Sequence, residues 1–266
     1  MALGACAVAA TAGCSASKSP GKSTDDSSTE TTTTSKALQL AVTESARVNS
    51  LTATITVHST DTGAGNLTGR VILQLKPSKI IEAMFNVAPA KSGAIELDEI
   101  LTGKDIYFKD PAFTKAAGKP WVEASVADAS AKVGVSLGSL LQNLESSDPL
   151  DQARLFVASK NARKVGTMTI GGVRTTEYAG TYKPALALAG LSPGLRKQIG
   201  PSLRAIGANQ VQFEVWLDSD GIVRQAKDTD NVRGQVVTTE LTITSVDKPV
   251  HVKLPPASEV APLPKL

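Results

Sequence analysis

The dominant signal in this chain is a period of two. In Leu51 to Ser59 the odd positions Leu51, Ala53, Ile55 and Val57 are apolar and Thr52, Thr54, Thr56 and His58 are polar, the pattern of a strand with one buried face. The alternation returns at Val71, Leu73 and Leu75 against Arg70, Gln74 and Lys76. It returns again at Ile81, Ala83, Phe85 and Val87 against Glu82 and Asn86, with Gly63 to Gly65 and Pro77-Ser78 as turns. Further strands are predicted at Ala94 to Leu101, Asp105 to Lys109, Trp121 to Ala124, Lys164 to Ile170 and Val173 to Tyr182, the last two joined as a hairpin by Gly171-Gly172. Late in the chain Val211, Phe213, Val215 and Leu217 alternate with polar neighbours, Asp220-Gly221 turns into Ile222 to Asp228, and Gly234 to Val246 and Val250 to Leu254 complete the series.

Helical spacing appears in four places. Leu38, Val42, Ala46 and Asn49 fall four or three apart and predict an amphipathic opening helix. Leu137, Leu140, Leu141 and Leu144 form an apolar stripe at i, i+3, i+4 and i+7, and Asp148-Pro149 supplies an N-cap and first turn for a helix to about Lys160. Pro184 to Ile206 is helical in pattern but interrupted by Gly190, Pro193, Gly194, Gly200 and Pro201, so a broken, mobile segment is expected. Strands alternating this regularly and joined by short turns belong to an antiparallel sheet with one wet face. The predicted architecture is α+β: one large curved antiparallel sheet with helices gathered on its concave face, in a single domain over residues 37–256.

The two ends read differently. Met1 to Gly13 is a small-residue apolar run, and Thr11-Ala12-Gly13-Cys14-Ser15 is similar to an export signal ending in a lipobox, with small residues at the two positions before Cys14 and Thr11 where the pattern prefers Leu. In bacterial lipoproteins that resemblance implies diacylglyceryl transfer to the Cys14 thiol and cleavage before it. Leu3-Gly4-Ala5-Cys6 is a rival spelling with almost no apolar run ahead of it. Residues 15–36 are Ser/Thr-dense and nearly devoid of apolar groups, so they are expected to be a disordered tether spanning about 26 Å. Residues 257–266 are expected to be a Pro-rich tail.

Composition narrows the chemistry. A net charge of +3 gives no electrostatic footprint for nucleic acid, and no internal run of apolar residues is long enough for a membrane helix. Both cysteines, Cys6 and Cys14, precede the folding region, so neither a disulfide nor a cysteine zinc site is expected there, and two histidines make a multi-His metal site a poor expectation. No metal and no cofactor are expected. Gly134-Val-Ser136-Leu-Gly138 spells a nucleophile elbow, but no parallel strand leads into it and its base would have to be His58 or His251, both on polar faces of predicted strands; Ser136 reads better as a helix cap. Asp218-Ser-Asp220-Gly221 echoes a calcium loop, yet Ile222 stands where the next oxygen ligand belongs, so it reads as a hairpin turn. Asn66-Leu-Thr68 is a glycosylation sequon by spelling alone.

The order of elements is accompanied by four phrases: Ile100-Leu-Thr-Gly-Lys-Asp-Ile-Tyr-Phe-Lys-Asp-Pro111, Gly118-Lys-Pro-Trp121-Val122, Val165-Gly-Thr-Met-Thr-Ile-Gly-Gly-Val-Arg-Thr-Thr-Glu-Tyr178, and Phe213-Glu-Val-Trp216-Leu-Asp218-Ser-Asp-Gly221. In that order, behind Cys14 and its tether, they resemble the LppX/LprAFG-type actinobacterial lipoproteins, relatives in fold of the LolA/LolB lipoprotein carriers. The resemblance implies a half-open barrel enclosing an apolar cavity for acyl chains. It also implies a monomer anchored at the outer face of the cytoplasmic membrane that binds or shuttles a lipid or lipoglycan without covalent catalysis. The lining is then expected among Val71, Leu73, Phe85, Leu97, Leu137, Leu141, Leu144, Phe213 and Val215, with Leu186, Leu188 and Leu191 on the broken segment; an ordinary filled core would use the same residue types. Arg196, Lys197 and Arg204 are either a solvated helix face or a contact for anionic head groups. The alternative function is a cell-envelope sensor or interaction module docking an envelope protein on the same fold; a hydrolase is a distant third.

Overall fold

The computed structural model describes residues 25–60, 66–88, 95–102, 104–125, 128, 149–194, 196, 197, 200, 204, 207–232 and 234–264. In chain order the elements are α1 (Asp25–Ser45), β1 (Ser50–Ser59), β2 (Asn66–Gln74), β3 (Ile80–Ala88), β4 (Ile95–Leu101), β5 (Asp105–Lys109), α2 (Pro111–Ala117) and β6 (Trp121–Ser125). They continue with α3 (Pro149–Phe156), β7 (Arg163–Ile170), β8 (Val173–Tyr182), α4 (Pro184–Ala189), β9 (Val211–Leu217), β10 (Val223–Val232), β11 (Gln235–Val246) and β12 (Val260–Pro262). The strands form one 12-stranded curved sheet in the order β12-β6-β5-β4-β3-β2-β1-β11-β10-β9-β8-β7. Each neighbouring pair is antiparallel except β12 with β6.

Register carries the alternation from strand to strand. Ala53 faces Val71, Val71 faces Ala83, and on the other side Ala53 faces Ile243, so one inward row crosses four strands without a polar group. Gly171 and Gly172 sit at φ +56° and +81°, the two positive values a two-residue type I′ hairpin requires between β7 and β8. At the β9–β10 turn the Asp218 carboxylate accepts hydrogen bonds from the backbone N–H groups of Asp220 (3.0 Å) and Ile222 (2.9 Å) and from Arg224 Nε (2.7 Å). Its oxygens hold a hairpin turn, as the sequence suggested.

Four expectations need correction. The tether was expected to reach Lys36, but α1 begins at Asp25 and takes in the whole Thr31–Thr34 run. Threonine is a weak helix former, so packing decides: Thr34, Leu38, Ala41 and Ser45, with Val48 beyond the helix, form the buried stripe, and α1 packs on α3 and β7. Of the stripe expected from sequence only Leu38 is fully buried; Ala46 and Asn49 face solvent. Val250 to Leu254 makes no strand; Pro249 before it and Pro255 and Pro256 after it lack the N–H that would carry a ladder past either end. Instead the Pro-rich end docks: Val260, Ala261 and Pro262 run parallel to Trp121, Val122 and Glu123, and Leu263 N–H donates to the Glu123 carbonyl (2.9 Å). A smaller difference is α3, which stops at Phe156 and not near Lys160. The interruption expected at Gly190 is present, with α4 ending at Ala189.

Two strand glycines accommodate aromatic rings. A Cβ on Gly69 would overlap the Phe85 ring on the neighbouring strand and lie 2.8 Å from the Met84 carbonyl oxygen. A Cβ on Gly180 would lie 2.8 Å from Ser159 Oγ, 2.9 Å from Ala162 Cα and 3.1 Å from the Phe213 ring. Gly69→Ala should therefore lower stability by about 1–3 kcal/mol, since backbone as well as ring must give way. Gly166→Ala, where a Cβ meets nothing within 4 Å, should stay within about 0.5 kcal/mol of wild type. Denaturant melts of both variants check the pair, and equal losses would remove the steric argument.

Candidate functional site

The inward face of the sheet divides along its strands. At one end Leu51, Ala53, Val71, Leu73, Ile81 and Ala83 are at most 3% exposed. Toward the other end the same face carries Ile55 and Val57 of β1, Leu67 of β2, Val87 of β3, Leu97 of β4 and Leu241 of β11, all half-buried. Pairing places them together: Ile55 lies opposite Leu241 on one side and Gly69 on the other, Val57 opposite Leu67, Leu67 opposite Val87, and Phe85 opposite Leu97. This is a contiguous apolar band that the other described residues cover only in part.

The lining residues expected from sequence scatter across this division. Val71, Leu73 and Phe85 lie in the sealed core, as do Phe213 and Val215, while Leu97 and Leu191 are half-buried against it. Phe213 stacks on Phe156 of α3 at 4.5 Å and 14°, with Tyr182 beside both rings, so α3 plugs that region. Leu188 is buried with Pro184 and Ala187 on the inner side of α4; Leu186, on the other side of that short helix, is 59% exposed and faces away from any lining. Leu137, Leu141, Leu144 and Ser136 lie outside the described residues, as does Cys14. Arg196 is exposed and donates through Nη2 to the carbonyls of Ala189 (3.1 Å) and Leu191 (3.0 Å), closing the end of α4; Lys197 and Arg204 are exposed. His58 is on the outer face, its Nδ1 2.7 Å from Asn66 Oδ1, and His251 is exposed between β11 and β12.

Sequence reasoning missed three acids on the inward face. Glu99 occupies an apolar phase of β4, between Leu97 and Leu101 on its own strand and opposite Ala83 and Phe108 on the flanking ones. It is 2% exposed, and among the described residues neither carboxyl oxygen has a hydrogen-bond partner. Burial, with a smaller contribution from the Asp110 charge, pushes its pKa from the ordinary 4.5 to about 7. On β10, Asp228 lies opposite Phe213 and Asp230 opposite Val211. Each is half-buried as a residue but has a sealed, unpartnered Oδ1. Burial and then the Asp230 charge push Asp228 up to about 8, and burial pushes Asp230 up to about 6; burial and the two acids also raise Tyr182. The signal was available: in both strands a carboxylate falls in phase with the apolar positions.

The outer face is polar. Two adjoining depressions of about 770 Å³ and about 540 Å³ share Asn86, Glu96 and Asp98 as lining, the larger bounded also by Lys109 and Lys115 and the smaller by Thr54, Thr56 and Thr68. Their walls are mixed, the smaller also taking in Met84 and Phe85 and the larger Pro111 and Pro120.

The sign of the pH dependence follows from the raised acids. The folded chain keeps the Glu99 proton at pH values where the unfolded chain has released it, so this contribution is complete below about 4.5 and is lost as pH rises toward about 7. That displacement corresponds to about 3 kcal/mol. Thermal melts should show stability falling between about pH 5 and pH 8 as Glu99, Asp230 and Asp228 ionise, and Glu99→Gln should remove the Glu99 share, about a third of that fall, while raising stability at the upper end. A Gln variant with the wild-type slope would show Glu99 ionised in the fold.

No family model matches the sequence. An uncharacterized 31.2 kDa protein from the rplA-rplJ intergenic region of Streptomyces griseus is 26% identical over 126 residues, 45% of this chain and 41% of that protein, so the chain spans less than half the length of this curated relative. Among solved structures, LprF from Mycobacterium bovis superposes with a TM-score of 0.54 at 14% identity, covering 84% of this chain and 97% of that one. The lipoprotein LppX from Mycobacterium tuberculosis superposes with a TM-score of 0.50 at 15% identity, covering 84% and 99%. The chain shares the fold of these two structures, which is the fold the sequence resemblance implied.

Proposed function

We propose that this chain is a lipid-anchored protein of the cell envelope that takes up an acyl chain of a lipid or lipoglycan along the inward face of its sheet, without covalent catalysis. The observation that carries this reading is the band formed by Ile55, Val57, Leu67, Val87, Leu97 and Leu241: aliphatic, contiguous and only half covered by the other described residues. A hydrocarbon guest laid there would exchange water for protein on both surfaces. The gain is about 0.8 kcal/mol per CH₂, or roughly 12 kcal/mol gross for a chain of about sixteen carbons before ordering costs. The shared fold with two mycobacterial proteins, one of them described as a lipoprotein, supports the same reading, as does the lipobox spelling before Cys14.

Native mass spectrometry of the chain purified from membranes should recover co-bound lipid. Leu67→Asp, which puts a charge into the band, should lower the bound fraction about fivefold or more. Val165→Asp, on an edge strand where Val165 is 51% exposed, should leave it unchanged. Repeated recovery of no lipid from the wild-type chain would end the carrier reading. Detergent phase partitioning tests the anchor: Cys14→Ser should move the protein to the aqueous phase, and release by Cys6→Ser instead would transfer the anchor to the rival site.

A further inference from the structure

The inward face is expected to need nothing but hydrocarbon, yet it carries Glu99. Its register neighbours Ala83 and Phe108 are apolar, the residues two along its strand are Leu97 and Leu101, and both of its oxygens lack partners among the described residues. Leu97 belongs to the half-covered band, so Glu99 stands where that band meets the sealed core. An unpaired carboxyl at such a position costs stability and contributes no internal hydrogen bond. Resting on the acyl-binding reading above, we propose that Glu99 in its protonated form is the polar anchor of the site, donating its O–H to the carbonyl oxygen of a bound acyl group and so selecting acyl esters or fatty acids over plain hydrocarbon.

The surroundings favour a neutral acceptor over a cationic one. Among the described residues the titratable group that acts on Glu99 is Asp110, just past β5, and its charge holds the proton on Glu99; β3 and β5 present Ala83 and Phe108. The cation nearest along β5, Lys109, pairs with Asp98 at 3.7 Å. With its acid pushed up to about 7, the site has a donor under mildly acidic conditions and loses it in base.

The test uses the full chain carrying Cys14→Ser, with methyl palmitate, palmitic acid and hexadecane delivered from cyclodextrin. At about pH 5.5 the wild-type chain should bind methyl palmitate about tenfold more tightly than hexadecane, and the preference should fall below about threefold at about pH 8.5. Glu99→Gln, whose amide donates at any pH, should keep the preference at both. Glu99→Leu should abolish it while hexadecane affinity stays within about twofold. The ¹³C carbonyl resonance of labelled methyl palmitate should move downfield on binding to the wild-type and Gln chains and not to the Leu chain. Palmitic acid bound more tightly than the ester assigns the site to free fatty acids, and the reverse order assigns it to acylated lipids; either supports carbonyl recognition. Equal affinity for ester and alkane in the wild type at the lower pH overturns the inference and leaves acyl binding standing. Failure of all three probes to bind overturns the proposed function and this inference with it. If the Leu variant does not fold, the pH independence of the Gln variant decides.

Discussion

The structure depends on one constraint: twelve paired strands, shifted in register only at Thr52/Ala53, Lys164/Gly166 and Val223/Gln225, commit alternate residues to the same face, and that face must be kept from water. Antiparallel pairing propagates the commitment, so that Ala53, Val71 and Ala83 align across neighbouring strands and leave no choice about which side is apolar. Helices α1, α3 and α4 pack on one another and against β7 and β8. The inward rows near Leu51 and Leu73 are sealed, while those near Val57 and Leu67 are not. On β1, β2 and β3 the gradient of cover runs along the strand, so that one half of each is ordinary core and the other half is only partly covered by the described residues.

This also explains what was legible in the sequence. Period-two alternation located the strands and the Gly171-Gly172 hairpin because both are local: they depend on side-chain direction and on backbone torsions that neighbouring residues fix. The resemblance in the order of phrases led to the right fold. What was not legible depends on distant packing. A Thr-rich run has every local reason to stay unfolded, and only the burial of Thr34 and Leu38 against other elements turns it into helix. Likewise Val260 to Pro262 reads as tail until the open edge of β6 offers it a partner. The candidate site was half legible for the same reason: Val71 and Leu97 look alike in sequence, and only three-dimensional cover separates a core residue from a lining residue.

The acids are a separate case, in which local and global rules conflict openly. A carboxylate in the apolar phase of a strand violates the pattern that builds the sheet, and Glu99 does so with both oxygens unpartnered. Sequences that specify a fold usually agree with themselves at every level, so conflict of this kind marks a position retained for something other than stability. Asp228 and Asp230 repeat the conflict on β10, but beside Phe213, where Phe156 and Tyr182 already fill the space.

That difference decides where along the sheet a guest belongs. The two glycine–aromatic pairs look equivalent in register, with Phe85 across Gly69 and Phe213 across Gly180. Their surroundings are not. Phe213 is clamped from the helix side by a stacked ring at 4.5 Å, so displacing it would break aromatic contact on two flanks as well as crowd Gly180. Phe85 lies beside half-covered Leu97 in the row that continues to Ile55 and Leu241, and a rotation of its ring would trade contact with Gly69 for contact with whatever fills the band. An apolar chain entering from the exposed end therefore meets its least resistance over β1 to β4, and the first polar group it reaches along β4 is Glu99.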